Sequence, residues 1–189
     1  MDEFIALIVE AVVLCGFRME NVFFKRAIEL PGFFRPTKEW DLLVVSNGRL
    51  LIALEAKSQV GPSFGNNFNN RTEEAMGSAL DLWTAYREGK FNSGQQPWLG
   101  YLFLLEDCPR SQRPVEVREP HFEVFPEFRG ASYAKRYELF CRKLNLERHY
   151  SQTAFLLSRE ADRSYSEPAS DLAFEGFVRS LAGHLLGVS

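Results

Sequence analysis

The sequence predicts an α/β fold, a central mixed β-sheet flanked by helices, and three observations carry that prediction. Apolar runs bounded by turn residues alternate with longer stretches that have helix start and stop signals. One pair of runs, "DLLVVSNGRLLIALEAK", is joined through Asn47-Gly48, two residues that accept positive φ and so close a hairpin. The 189 residues, 46% apolar and 25% charged, suffice for one core, and the prediction is a single domain over residues 1–189.

Residues 3–16 are predicted as a helix that stops at Gly16. A strand around 22–29 leads into "LPGFFRPTKEW", a turn rich in Pro and Gly, and then into the hairpin. "SQVGPSFGNNFNNR" reads as a polar loop, followed by a helix with Asn70 as N-cap, Glu73 at the capping-box position and Gly89 as the stop. "PWLGYLFLLE" is the next strand. An irregular span over roughly 107–130 contains Pro109, Pro114, Pro120 and Pro126. A helix over about 132–149, a strand "TAFLLS" and a helix near 170–186 complete the order α-β-β-β-α-β-α-β-α.

Composition excludes disordered, collagen-like and disulfide-scaffold classes. Cys15, Cys108 and Cys141 are far apart and form no metal-binding spacing, which suits core residues in a reducing cytoplasm. "FIALIVEAVVLCGF" contains Glu10, lacks a basic leader and is too short to span a bilayer, so no membrane partner is expected. Net charge is −3, which does not advertise nucleic acid, but residues 110–148 hold nine Lys/Arg against six Glu.

The chemistry-bearing constellation lies on the hairpin. Glu55 and Lys57 are two apart on one strand and therefore project to one face. An unbulged two-residue turn would pair Asp41 with Leu54 and put it on the opposite face. A three-residue loop, Ser46-Asn47-Gly48 with Gly48 left-handed, or an equivalent bulge, would pair Asp41 with Ala53 and bring it roughly 5–8 Å from Glu55. Such close carboxylates repel unless a cation lies between them, and a hard divalent ion, Mg²⁺ above all, takes oxygen ligands and keeps waters. With Lys57 to orient water and neutralise developing charge, the parts fit metal-assisted phosphodiester hydrolysis. Taken alone, Glu-x-Lys at a strand end usually marks a solvated rim.

Asp41, a short hairpin and Glu55-Ala56-Lys57 resemble the PD-(D/E)XK nuclease motif, with Trp40 standing where the motif has Pro. "ELPGFFRPTKEWDLLVV", "EAKSQVGPSFGNNFNNRTEEA", "PWLGY", "EPHFEVFPEF" and "ERHY" together resemble the XhoI family of type II restriction endonucleases over roughly residues 20–160. The resemblance implies a restriction-endonuclease-like core and a Mg²⁺-dependent homodimer. It would cut both strands of double-stranded DNA at CTCGAG, leaving 5′ overhangs and 5′-phosphates beside a cognate DNA methyltransferase. Transferred residue by residue, Asp41, Glu55 and Lys57 are catalytic, and Asp41, Glu55 and the Ala56 carbonyl are metal ligands.

Base reading needs Asn or Gln for adenine and Arg or Lys for guanine. Asn66, Asn67, Asn69 and Arg71 directly follow the catalytic strand and are candidates, although Gly/Asn loops also arise for backbone reasons. Arg110, Arg113, Arg118, Lys135 and Arg136 form a second DNA-binding group, most of it directed to phosphate. His121, His149 and His184 read as structural or surface residues, and Glu10 and Glu29 as remote candidates for an extra carboxylate. The alternatives are another PD-(D/E)XK nuclease of the repair or junction type, a non-catalytic DNA-binding protein of the same fold, and a plain α/β interaction protein.

Overall fold

The computed structural model describes residues 1–92, 94–159, 161–162 and 164–188. Its strands are β1 (Val22–Phe23), β2 (Glu29–Leu30), β3 (Lys38–Glu39), β4 (Leu42–Ser46), β5 (Arg49–Gln59), β6 (Trp98–Glu106), β7 (Gln152–Arg159) and β8 (Ser164–Ser166). Its helices are α1 (Asp2–Leu14), α2 (Phe64–Arg87), α3 (Pro109–Gln112), α4 (Tyr133–Leu146) and α5 (Phe174–Leu186). Among the described residues the main sheet runs β1-β4-β5-β6-β7-β8, and β2 pairs with β3 in a separate two-stranded ribbon. The sheet is mixed, as expected: β5, β6 and β7 are parallel, and the pairs β4–β5 and β7–β8 are antiparallel.

Parallel neighbours need crossovers, and α2 and α4 supply them on one face of the sheet. That face is aromatic: Tyr101, Phe103, Tyr137, Tyr150 and Phe155 are all buried there, and Phe103 stacks on Tyr137 with ring centroids 4.1 Å apart. The opposite face is mainly aliphatic, with Leu42, Val44, Ile52, Leu54 and Leu156 covered by Ile8, Val9 and Val12 of α1 and Phe177, Leu181 and Leu185 of α5.

Four expectations are corrected. The strand around 22–29 is two separate two-residue strands, β1 and β2, in different sheets. The span 107–130 holds α3 and a single 3₁₀ turn at Pro126–Phe128, and β8 is an additional edge strand. The second helix begins at Phe64, with Ser63 rather than Asn70 as N-cap, so the supposed Gly/Asn loop is helical. Burial explains this: Phe64 stacks on Tyr133, and Phe68, one turn on, meets Tyr137 and Phe140. An i, i+4 aromatic pair docked on α4 outweighs the weak helix propensity of Gly65 and the asparagines.

The fourth correction concerns the hairpin. Its turn has two residues, Asn47 and Gly48, at φ 52° and 71°, and it pairs Ser46 with Arg49 and Val45 with Leu50. The ladder then shifts: Val44 pairs with Ile52, Leu43 with Ala53 and Leu42 with Leu54, and Leu51 is left over as a bulge. Leu51 and Ile52 consequently both face the aliphatic core. The three-residue loop is absent, and an equivalent bulge stands in β5 instead.

Candidate active site

The site forms where β4 stops and β5 continues. The regular ladder ends at Leu42–Leu54, and the next residue along each strand is Asp41 and Glu55. Asp41 donates its N–H to the Leu54 carbonyl (3.0 Å), and its Oδ2 accepts the N–H of Ala56 (2.7 Å). That bond fixes the carboxylate against the free edge of β5.

Glu55 points into the aromatic face and is 2% exposed. Its Oε1 receives Lys57 Nζ at 3.0 Å, so the two residues do share a face. The same oxygen receives Lys38 Nζ at 3.2 Å, from a residue that sequence reasoning missed. Among the described residues, the buried Glu55 Oε2 has no hydrogen-bond partner, and neither has the hydroxyl of Tyr101, the cross-strand neighbour of Glu55 on β6. Burial holds the Tyr101 phenol well above its usual pKa, with neighbouring groups, Glu55 among them, adding to the shift. Burial also lowers the Lys38 pKa from the usual lysine value, against the opposing attraction of Glu55.

Lys38 arrives on the β2–β3 ribbon, where it pairs with Leu30, and its only sequence signal is its place three residues before Asp41. A carboxylate on α2 holds the connecting loop. Asp81 Oδ1 accepts the N–H groups of Phe33 (2.6 Å) and Phe34 (2.7 Å), and Oδ2 accepts Arg35 Nε (2.9 Å). Burial pushes the Asp81 pKa up, but these donors outweigh it and hold the carboxyl below its ordinary value.

The expected DNA-contacting residues lie on the first turns of α2, on α3 and the segment after it, and at the start of α4. Asn66 and Asn69 are exposed and Asn67 half-buried, all in the first turns of α2. Arg71 lies two turns inside that helix and pairs with Glu74 at 2.6 Å, so its expected place at a helix start is corrected. Arg110 and Arg113 line an open cavity of about 490 Å³ with Pro62, Ser63, Gly65 and Tyr133, beyond the end of β5. Arg118 is exposed. Lys135 pairs with Glu138 at 2.7 Å. Arg136 donates to the carbonyls of Ala131 and Val115, both at 3.2 Å, and ties the 113–116 segment to the start of α4.

A metal ion would find oxygen donors here. Asp41 is bonded to Leu54 and Ala56, the residues on either side of Glu55, one Glu55 oxygen has no partner among the described residues, and the Ala56 carbonyl leaves β5 on the same edge as the N–H that meets Asp41. Among the described residues no cluster of three or more His, Cys, Asp or Glu side chains gathers. Two carboxylates plus carbonyl, water and phosphate oxygens suit Mg²⁺, which an all-protein cage does not.

A mixed sheet that presents Asp, Glu and Lys where a hairpin strand stops is the arrangement of a restriction-endonuclease-like core. Comparison with known proteins makes the assignment specific: the model of the restriction endonuclease XhoI family matches residues 1–169. The chain is 53% identical to the type II restriction enzyme BstVI of Geobacillus stearothermophilus, over 98% of this chain and 86% of that one. It is 52% identical to XhoI of Xanthomonas vasicola, over 78% of this chain and 60% of the relative, and 56% identical to AbrI of Azospirillum brasilense, over 65% and 55%. No solved structure matches. The chain belongs to the XhoI restriction endonuclease family. Its class is therefore that of a site-specific DNA endonuclease in a generally metal-dependent group, with DNA as substrate. No helix among the described residues is long and apolar enough to cross a membrane.

Proposed function

We propose that the chain hydrolyses one phosphodiester in each strand of duplex DNA at the palindrome CTCGAG, using Mg²⁺ held by Asp41, Glu55 and the Ala56 carbonyl. The carrying observation is the buried Glu55 Oε2, unpartnered among the described residues, with Asp41 bonded to Leu54 and Ala56 on either side of Glu55. When bound, the ion would polarise the phosphate and acidify a coordinated water. Lys57, a quarter exposed and held 3.0 Å from Glu55, donates to the attacking water and to the non-bridging oxygens as charge builds on them. Water attacks phosphorus, the bond to the 3′ oxygen breaks, and the products are a 3′-hydroxyl and a 5′-phosphate. The exposed asparagines of α2 and Arg110, Arg113, Arg118, Lys135 and Arg136 are the proposed DNA contacts, with Arg110 and Arg113 flanking the helix start. A palindrome has a two-fold axis, so one active site per strand calls for a homodimer. A cognate methyltransferase that masks the same site in the cytoplasm completes the system, and the three free cysteines suit that reducing compartment.

The test is cleavage of a plasmid with a single CTCGAG, with and without Mg²⁺, by the wild type and Lys57→Ala. One cut at that site, dependent on Mg²⁺ and slowed at least about a thousandfold in Lys57→Ala, is expected. Cutting that ignores the site would point to a repair or junction nuclease, and undiminished cutting by Lys57→Ala would remove Lys57 from the chemistry.

A further inference from the structure

The structure puts a second lysine on the Glu55 carboxylate, and the fold goes to some length to deliver it. Lys38 has a side chain only 12% exposed, with Nζ 3.2 Å from Glu55 Oε1, 2.9 Å from the Glu39 carbonyl and 4.3 Å from the centre of the Trp40 ring. These contacts fix the ammonium on three sides, where a surface lysine would move freely. The ribbon that carries it is closed by Asp81, and Gly32 packs so tightly there that a Cβ would lie 2.2 Å from Asp81 Oδ2. Position and charge are thus both built in.

Formal charge at the site explains why. Asp41 and Glu55 carry two negative charges, and Lys38 and Lys57 carry two positive ones. A carboxylate as buried as Glu55 is strongly unfavourable without compensation, and in the protein without metal the two ammonium groups provide it. They do so on one oxygen only. Oε1 takes both lysines, and Oε2 takes none.

We propose that Lys38 is a positioning residue for the metal site, acting through Glu55. It pins Oε1 so that Oε2 stays available as a ligand, and it holds the place of positive charge until a divalent cation enters. This rests on the assignment of Asp41 and Glu55 as metal ligands. Two opposed consequences follow. The fixed ammonium weakens cation binding by repulsion, and it speeds the reaction by keeping Glu55 oriented. A residue needed only for folding would move both quantities in the harmful direction.

Lys38→Met keeps length and apolar packing and removes the charge, whereas Lys38→Arg keeps the charge. Mg²⁺ is titrated into each purified protein by calorimetry, melting temperatures are measured with and without Mg²⁺, and cleavage is followed against Mg²⁺ concentration. For Lys38→Met the expected results are a lower melting temperature without metal, a larger rise on adding Mg²⁺, and roughly tenfold tighter Mg²⁺ binding. Its maximal rate falls even as its half-saturating Mg²⁺ concentration drops. Lys38→Arg returns Mg²⁺ affinity towards wild type. Unchanged or weaker Mg²⁺ binding by Lys38→Met overturns the proposal, and if that variant does not fold, Lys38→Gln is held to the same criterion. Wild type that binds no Mg²⁺, or Asp41→Asn that binds it as well as wild type, instead defeats the ligand assignment beneath it.

Discussion

Leu54 and Glu55 are consecutive in β5, both buried, and they point to opposite faces of one sheet. On the Leu54 side, α1 and α5 meet a surface built mostly of Leu, Val and Ile, where shape and volume decide fit. On the Glu55 side, α2 and α4 meet tyrosines and buried polar groups that must find partners. Most of them do. Gln59 is held between the Tyr137 hydroxyl and the Phe64 carbonyl, Tyr150 donates to the Ala75 carbonyl at 3.0 Å, and Thr153 donates to the Cys141 carbonyl at 3.0 Å. Among the described residues, Glu55 Oε2 and the hydroxyl of Tyr101, the residue paired with Glu55 on β6, are exceptions. One face of the sheet is apolar packing, and the other carries an unsatisfied polar centre, where the proposed metal site lies.

The largest expected effect separates those roles. Asp41→Asn keeps an acceptor for the Ala56 N–H but loses the charge, so cleavage should fall about 10³-fold, equivalent to ~4 kcal/mol in the barrier. Its urea midpoint should hardly move; a large stability loss would mean that the polar face also carries the fold. Leu54→Ala should do the reverse, costing about 3 kcal/mol in urea unfolding while the folded variant still cleaves. Loss of cleavage by folded Leu54→Ala would break the division between the faces. Tyr137→Phe leaves Gln59 Oε1 without its donor in a buried position and should cost about 2 kcal/mol by the same measurement.

The smallest effect concerns pH. Asp81 has a folded pKa below its unfolded one, so it stabilises the protein above the ordinary carboxylate range. That contribution is lost as pH falls through the depressed value. Asp81→Asn should be about 1 kcal/mol less stable at neutral pH and should lose less on acidification than the wild type. Parallel stability curves for the two proteins below about pH 4 would show that Asp81 is not held in its charged form.

The contrast between the faces was only partly legible in the sequence. Alternation along β4 and β5 and the Asn47-Gly48 turn exposed the hairpin, and the Glu55–Lys57 spacing gave their common side, because these are local properties. Which residue bulges was not local: Leu50, Leu51 and Ile52 are three apolar neighbours, and only docking against two different cores singles out Leu51. The early start of α2 was hidden for a similar reason, since Phe64 and Phe68 earn their helix from α4, far along the chain. An i, i+4 aromatic pair inside the asparagine run was the available signal. Lys38 reaches Glu55 only because Asp81 folds its loop back, a contact between residues more than forty positions apart.

The bulge at Leu51 also has a consequence for chain length. A two-residue turn pairs only residues with an even number of positions between them, whereas an odd number separates Asp41 from Glu55. Leu51 absorbs the difference, so the strand holds one residue of slack. Deleting Leu51 would leave every rung from Ile52 to Leu54 in place and Asp41 still next to Glu55. Inserting a residue beside it would demand a second irregularity. The spacing between the two carboxylates can therefore shrink by one without loss of register, but it cannot grow by one so easily.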